Sequence, residues 1–175
     1  MSADEAQELR EAAEKAREDQ SLAAVSLTMA VLAVCVAVVS LLGHRAHTEE
    51  VVLQAKSSDQ WAYYQAKNIR QHEDELFVAG NNASVAADVR EKYSQEAERY
   101  KKEKEEIQEK ATDLERDVVL ERKRADRYDL AEVFLEIGLV VTSITLLSGR
   151  RIFWHVGIVL SVVGVVVGVM GAMAH

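Results

Sequence analysis

The chain contains no proline, so no position is marked for a ring-induced kink or a proline-set turn. It has one cysteine, Cys35, and an intramolecular disulfide is therefore excluded. Glycine is scarce, and four of the eight glycines fall in the last apolar run. Aromatic residues make up only 6% of the chain. Basic side chains are outnumbered, 21 against 29 acidic, for a formal charge of −8. An acidic balance argues against nucleic acid as a partner, because phosphate contacts need a net basic face. Motifs for chemistry are missing too. No Gly-rich phosphate loop, H-E-x-x-H or G-x-S-x-G occurs, and the five histidines have no cysteine partners. The expectation is a protein that is not an enzyme and holds no cofactor and no metal.

What is present is an alternation of solvents. Residues 21–43, 130–148 and 152–174 are apolar runs of 19 to 23 residues. A helix of that length spans a hydrocarbon core of ~30 Å. Between the first and second runs lie residues 44–129, with 16 basic and 20 acidic side chains. The pattern predicts an all-α membrane protein with three transmembrane helices and one long extramembrane antiparallel helical hairpin, coiled-coil-like in character. Residues 1–20 read as a polar N-terminal tail, a helical lead-in with Glu11 and Lys15 at an attractive spacing. The first run has an acidic flank and exceeds a typical signal core, so it reads as a permanent span.

Within the charged insertion, helical register continues unbroken from His44 to Ala79. The turn is expected near residues 80–84, at Gly80-Asn81-Asn82-Ala83-Ser84. Beyond it, Tyr93, Tyr100, Ile107, Leu114 and Tyr128 keep a seven-residue spacing that skips Glu121. Ala97, Ala111, Val118 and Ala125 take the alternate position, with Lys104 interrupting. On the first helix Trp61, Tyr64 and Asn68 share one face, the expected interaction face, which seats the helix against its partner. Ala55, Ala62, Ala66, Ile69 and Leu76 form another face, and small residues on each helix predict a close antiparallel approach.

In the last run Gly157, Ser161, Gly164, Gly168 and Ala172 fall close to one side, and Gly164 to Gly168 is a GxxxG. Small residues let helix backbones approach closely where lipid supplies no hydrophobic force between helices. The partner is a span of the same chain or of another copy, which makes a homo-oligomer an expectation. Ala30, Ala33 and Ala37 offer a second, weaker small-residue face. Glu132 and Glu136 continue an acidic stripe from Asp129 into the second run. A carboxylate at membrane depth is costly unless paired, protonated or hydrated. It reads either as a rim salt bridge, with His44 or Arg45 at hand, or as an ion or proton site. Arg150, Arg151 and Trp154 read as interfacial anchors between the last two spans. The lysines and arginines near the spans are nearly evenly divided, four against five, and a long loop obeys the positive-inside rule poorly, so the rule assigns the hairpin to neither side.

The tract Asp59 to Lys67 (DQWAYYQAK) follows a first span with a His-rich exit, and Arg150-Arg151-x-Phe153-Trp154-x-x-Gly157 opens the last span. With the layout of span, charged hairpin, span, basic turn and span, these motifs resemble a bacterial inner-membrane family described as domain of unknown function 4337. The resemblance covers most of the chain from Ser21 on. It departs at the tip, where a proline-containing turn would be expected, and in a tail without histidines. It implies a multi-pass protein of a bacterial inner membrane with no established activity.

Function is therefore read from packing signals. The first expectation is a non-catalytic scaffold or interaction protein in the bilayer, self-associating through its spans and presenting the hairpin to itself or to a protein partner. The alternatives are an oligomeric ion- or proton-conducting assembly using Glu132 and Glu136, and an accessory subunit of another membrane complex.

Overall fold

The computed structural model describes residues 3–80 and 86–173, with side chains from Leu22 onward. The described residues form three α-helices and no strand: α1 (Ala3–Ala79), α2 (Ala87–Ser148) and α3 (Arg151–Ala172). All three include stretches long and apolar enough to cross a membrane. α1 and α2 pack against each other as a hairpin. Continuous helix is what an uninterrupted run of non-proline, largely straight-chain residues favours. α1 begins at Ala3, so the backbone of the N-terminal stretch is helical. The side chains of the Glu11/Lys15 pair lie outside the described residues, as do the expected tip residues Asn81, Asn82, Ala83 and Ser84. Gly80 closes α1 by donating its N–H to the Leu76 carbonyl at 2.9 Å, and it accepts from Arg90 Nη2 at 3.0 Å.

The helices contribute to two compact units. One comprises Met1–Ala46 and Lys123–His175, the other His47–Arg122.

In the first unit Val25, Leu32, Val39 and Ala46 recur every seventh residue on α1, and all four are buried. Leu32, Val39 and Ala46 share a core with Ala125, Tyr128, Ala131 and Leu135 of α2. Ala30, Ala33 and Ala37 point outward instead. The reason is steric: α3 presents glycines, and the branched side chains of α1 and α2 fill the space above them. Val39 Cγ2, for instance, lies 3.6 Å from where a Gly168 Cβ would stand.

α2 and α3 are antiparallel and joined through Gly149 and Arg150. Gly149 has φ +66°, the left-handed conformation in which glycine carries no steric penalty. Their contacts form a ladder: Thr142 with Gly157, Gly138 with Ser161, Leu135 with Gly164, Ala131 with Gly168 and Tyr128 with Gly171. At the other end of α3, Arg127 Nη1 donates to the Met170 carbonyl at 2.8 Å, placing a cation at the helix's negative terminus.

In the second unit the buried row on α2 is Ala97, Ile107, Ala111 and Val118, with Tyr93, Tyr100 and Leu114 half-buried. The matching face of α1 is of a different kind. Ser57 and Gln71 are buried, and Trp61, Tyr64, Lys67, Asn68 and Asp74 are half-buried. The Ala/Ile/Leu face turns to solvent: Ala55, Ala62 and Ala66 are exposed, Ile69 is 57% exposed and Leu76 72%.

Candidate functional site

The polar seam of the second unit is where charge and aromatic surface converge. Its α1 residues stand three or four apart from Ser57 to Asp74, so a single helix face presents all of them. Trp61, Tyr64, Lys67 and Asn68 find counterparts on α2. Trp61 Nε1 donates to Glu115 Oε1 at 2.8 Å, and Lys104 Nζ donates to Asn68 Oδ1 at 2.9 Å. Lys104 also lies 5.8 Å from the centre of the Tyr64 ring. Lys67 Nζ pairs with Glu103 Oε2 at 2.5 Å and sits over the Tyr63 and Tyr100 rings at 5.4 and 4.8 Å. Phe77 and Tyr93 close the far end, ring centres 4.3 Å apart. Near the other end Arg122 Nε donates to Glu50 Oε1 at 2.7 Å, with His47 Nδ1 3.8 Å from the second carboxylate oxygen. The expected interaction face of Trp61, Tyr64 and Asn68 is thus directed at α2 of the same chain. A polar face goes inward because α2 carries Glu103, Lys104 and Glu115 there, and an apolar face opposite would strand those charges.

Titration follows from these partners. The Glu103 carboxylate holds the Lys67 ammonium above its ordinary value, and Lys67 in turn holds Glu103 below its own. Burial pushes the Asp74 carboxyl upward, with repulsion from Glu96 and Glu73 adding to it and Arg99 opposing. Hydrogen bonds from Gln71 and His72 hold Glu75 low. Gln71 Oε1 and Asp74 Oδ2 are buried acceptors without a hydrogen-bond partner among the described residues. No three His, Cys, Asp or Glu side chains among the described residues are grouped to hold a metal ion.

The acidic candidates of the first unit stand differently. Glu132 is half-buried; Glu136 is exposed on the outer side of α2, among exposed Val133, Ile137 and Val140. Neither carboxylate has a hydrogen-bond or ion-pair partner among the described residues, so a bridge to His44 or Arg45 is not formed. Trp154 is half-buried, and its indole N–H donates to Thr28 Oγ1 of α1 at 3.2 Å. The ring therefore ties α3 to α1 within the unit. Arg150 and Arg151 are exposed, Arg150 as the N-cap of α3 and Arg151 as its first residue. Cys35 is half-buried beside the core.

Gly157, Ser161, Gly164 and Gly168 are buried, and their partner is α2 of the same chain. Ala172 is exposed; Gly171 takes the fifth place, because the three- and four-residue steps that keep a stripe on one side arrive at 171. Gly138 and Thr142 are the other half of this contact and were not among the expected packing residues. A Cβ on Gly138 would stand 2.9 Å from the Gly157 carbonyl oxygen, and one on Gly157 2.7 Å from that of Gly138. Thr142 Oγ1 and Ser161 Oγ bond back to the carbonyls of Gly138 and Gly157, both at 2.7 Å. A signal for this existed, since Gly138 and Thr142 are small residues four apart in the second span.

The family model described as Domain of unknown function (DUF4337) matches residues 21–174, and the chain belongs to that family. No curated protein and no solved structure matches it.

Proposed function

We propose that this chain is a non-catalytic interaction protein anchored in a bacterial inner membrane, and that it displays its charged helical hairpin as the working surface. One observation carries the reading: the two units differ in what they leave outside. Around the first, Leu27, Val31, Val34, Val38, Val159 and Val166 are each more than half exposed, a surface suited to hydrocarbon. The second unit is mostly charged outside, with its exposed apolar residues gathered chiefly on one face of α1. The family resemblance supports the bacterial inner membrane. Because the α3 small-residue stripe is occupied by α2, self-association is better sought at the hairpin than at that stripe. The test is extraction of expressed membranes with alkaline carbonate, followed by crosslinking through the hairpin. Release into the soluble fraction would refute the anchor, and absence of any crosslinked species would refute the displayed surface.

A second reading is favoured by Glu136, a carboxylate without a described partner on the apolar outer side of α2. An unpaired charge there acquires a partner, a proton or water when copies meet, giving an ion- or proton-conducting assembly. That reading predicts flux in proteoliposomes that falls with Glu136→Gln. The anchored-hairpin reading predicts no flux.

A further inference from the structure

The first unit leaves an apolar groove open on its outer surface. Its floor is buried Val39, Leu135 and Gly168, while exposed Val38 of α1 and Val169 of α3 stand at its rims. α3 has no side chain at Gly168, where an added Cβ would meet nothing closer than 3.5 Å, so the space between α1 and α3 stays unfilled. Apart from the Tyr128 ring and the Cys35 thiol, the lining side chains are aliphatic. Along α1 the groove runs from Val34 to Leu42, about 12 Å at 1.5 Å per residue. That is on the order of one leaflet's depth in a hydrocarbon core of ~30 Å. Its volume of about 280 Å³, spread over that length, leaves a channel roughly 5 Å across, where a helix needs about 10–12 Å. A single hydrocarbon chain fits it; a further span does not.

The groove ends beneath a cation. Arg45 stands seven residues beyond Val38 and eleven beyond Val34, steps that return an α-helix to within about 20° of the same side. It lies just past the end of the first apolar run and is exposed, with no ion-pair or hydrogen-bond partner among the described residues. We infer that the groove holds one acyl chain of a phospholipid from the hairpin-side leaflet, with the lipid phosphate on the Arg45 guanidinium. The inference rests on the membrane-anchored reading and adds a bound lipid to it. The two ends of the molecule match the two ends of the site: hydrocarbon lies against aliphatic side chains, and phosphate oxygens accept from the planar guanidinium. A neutral lipid would leave Arg45 unmatched.

The test uses the full chain, purified in a maltoside detergent and followed by native mass spectrometry at rising collision energy. The inference expects one phospholipid per chain to stay bound after detergent and loosely held lipid have left. Arg45→Ala should weaken retention about tenfold or more, the worth of a hydrogen bond to a charged group, and Arg45→Lys less. Val38→Trp should block the groove and abolish retention. Val159→Trp, at an exposed apolar position outside the groove, should leave it unchanged. All three positions are exposed, so the variants keep the fold, which circular dichroism checks. Delipidated protein should rebind added phosphatidylglycerol, and bind diacylglycerol, which lacks the phosphate, about tenfold more weakly. Cys35 lines the groove about 15 Å from Arg45 along α1, so its thiol reports the chain at a distance. Its alkylation by N-ethylmaleimide should be faster in Arg45→Ala than in the parent, and equal rates would overturn the inference. So would a parent that retains no lipid, retention unchanged by Arg45→Ala and Val38→Trp, or a loss as large with Val159→Trp. A dimer that Val38→Trp splits would put a second copy on the groove and overturn it too. Release by alkaline carbonate would refute the anchor itself. A protein that resists carbonate and retains no phospholipid would sink this inference and leave the anchored reading standing.

Discussion

Gly157→Ala and Gly168→Ala should change stability in opposite directions, although both glycines line the same stripe of α3. A methyl group on Gly157 would stand 2.7 Å from the Gly138 carbonyl oxygen and 3.0 Å from the Thr142 nitrogen. Both are backbone atoms that no side-chain rotation can move. Overpacking of this kind costs about 1–3 kcal/mol, and this site belongs at the upper end. Against it stands the gain from replacing a helical glycine by alanine, about 1 kcal/mol at most. The net is a loss of about 2 kcal/mol for Gly157→Ala. On Gly168 the same methyl would meet Ala131 Cβ at 3.5 Å and Val39 Cγ2 at 3.6 Å, ordinary van der Waals contact. There only the helix gain remains, so Gly168→Ala should stabilise by up to about 1 kcal/mol. The two variants should thus differ by about 3 kcal/mol. Unfolding followed by circular dichroism in mixed micelles, with increasing denaturing detergent, measures the difference. Equal effects of the two substitutions, or a Gly157→Ala protein as stable as the parent, would refute the close backbone contact of α2 and α3.

Three further outcomes rest on the polar contacts. Asp74 has a raised value in the folded chain, so its contribution to stability is present below the ordinary carboxyl value of 3.8 and is lost as pH rises through the folded value. Asp74→Asn should therefore raise the denaturation midpoint at pH 7 and lose that advantage below pH 3.8; a destabilised variant at pH 7 would contradict the burial argument. For the Lys67–Glu103 pair, carbon-13 NMR should find the Glu103 carboxyl titrating below the usual glutamate range, the pair's contribution fading as pH falls through that depressed value. Lys67→Met should return Glu103 toward the ordinary range, and an unchanged titration would show that the ion pair does not form. Trp154→Phe should cost about 0.5–1.5 kcal/mol, the net worth of a hydrogen bond. Thr28→Val should cost a similar amount, and the double variant less than the two together.

The three spans and the hairpin are legible in the chain because apolar length and the seven-residue row on α2 report burial directly. Ile107, Ala111 and Val118 lie where a hydrophobic repeat places them. On α1 the same logic misleads. A search for apolar positions selects Ala55, Ala62, Ala66, Ile69 and Leu76, whereas the residues facing α2 are Ser57, Trp61, Tyr64, Lys67 and Gln71. Their inward placement depends on Glu103, Lys104 and Glu115, more than thirty residues away in sequence, so no local window contains it. The first span shows a similar effect. Ala30, Ala33 and Ala37 look like a packing face, but close approach is supplied by the glycines of α3, and the facing helices contribute bulk. The bond from Trp154 to Thr28 spans 126 positions and likewise leaves no local trace.

The brevity of the α2–α3 connection bears on how the protein is made. Only Gly149 and Arg150 lie between Ser148 and Arg151, so the two helices reach a bilayer as one bent segment rather than as two successive ones. Thr142 and Ser161 already satisfy their hydroxyls on their own helices, so this segment brings no unmet donor from either side chain into hydrocarbon. Biogenesis then involves a single choice of orientation for α2 and α3 together. Charge substitutions at Arg150 and Arg151 would turn both helices over or neither.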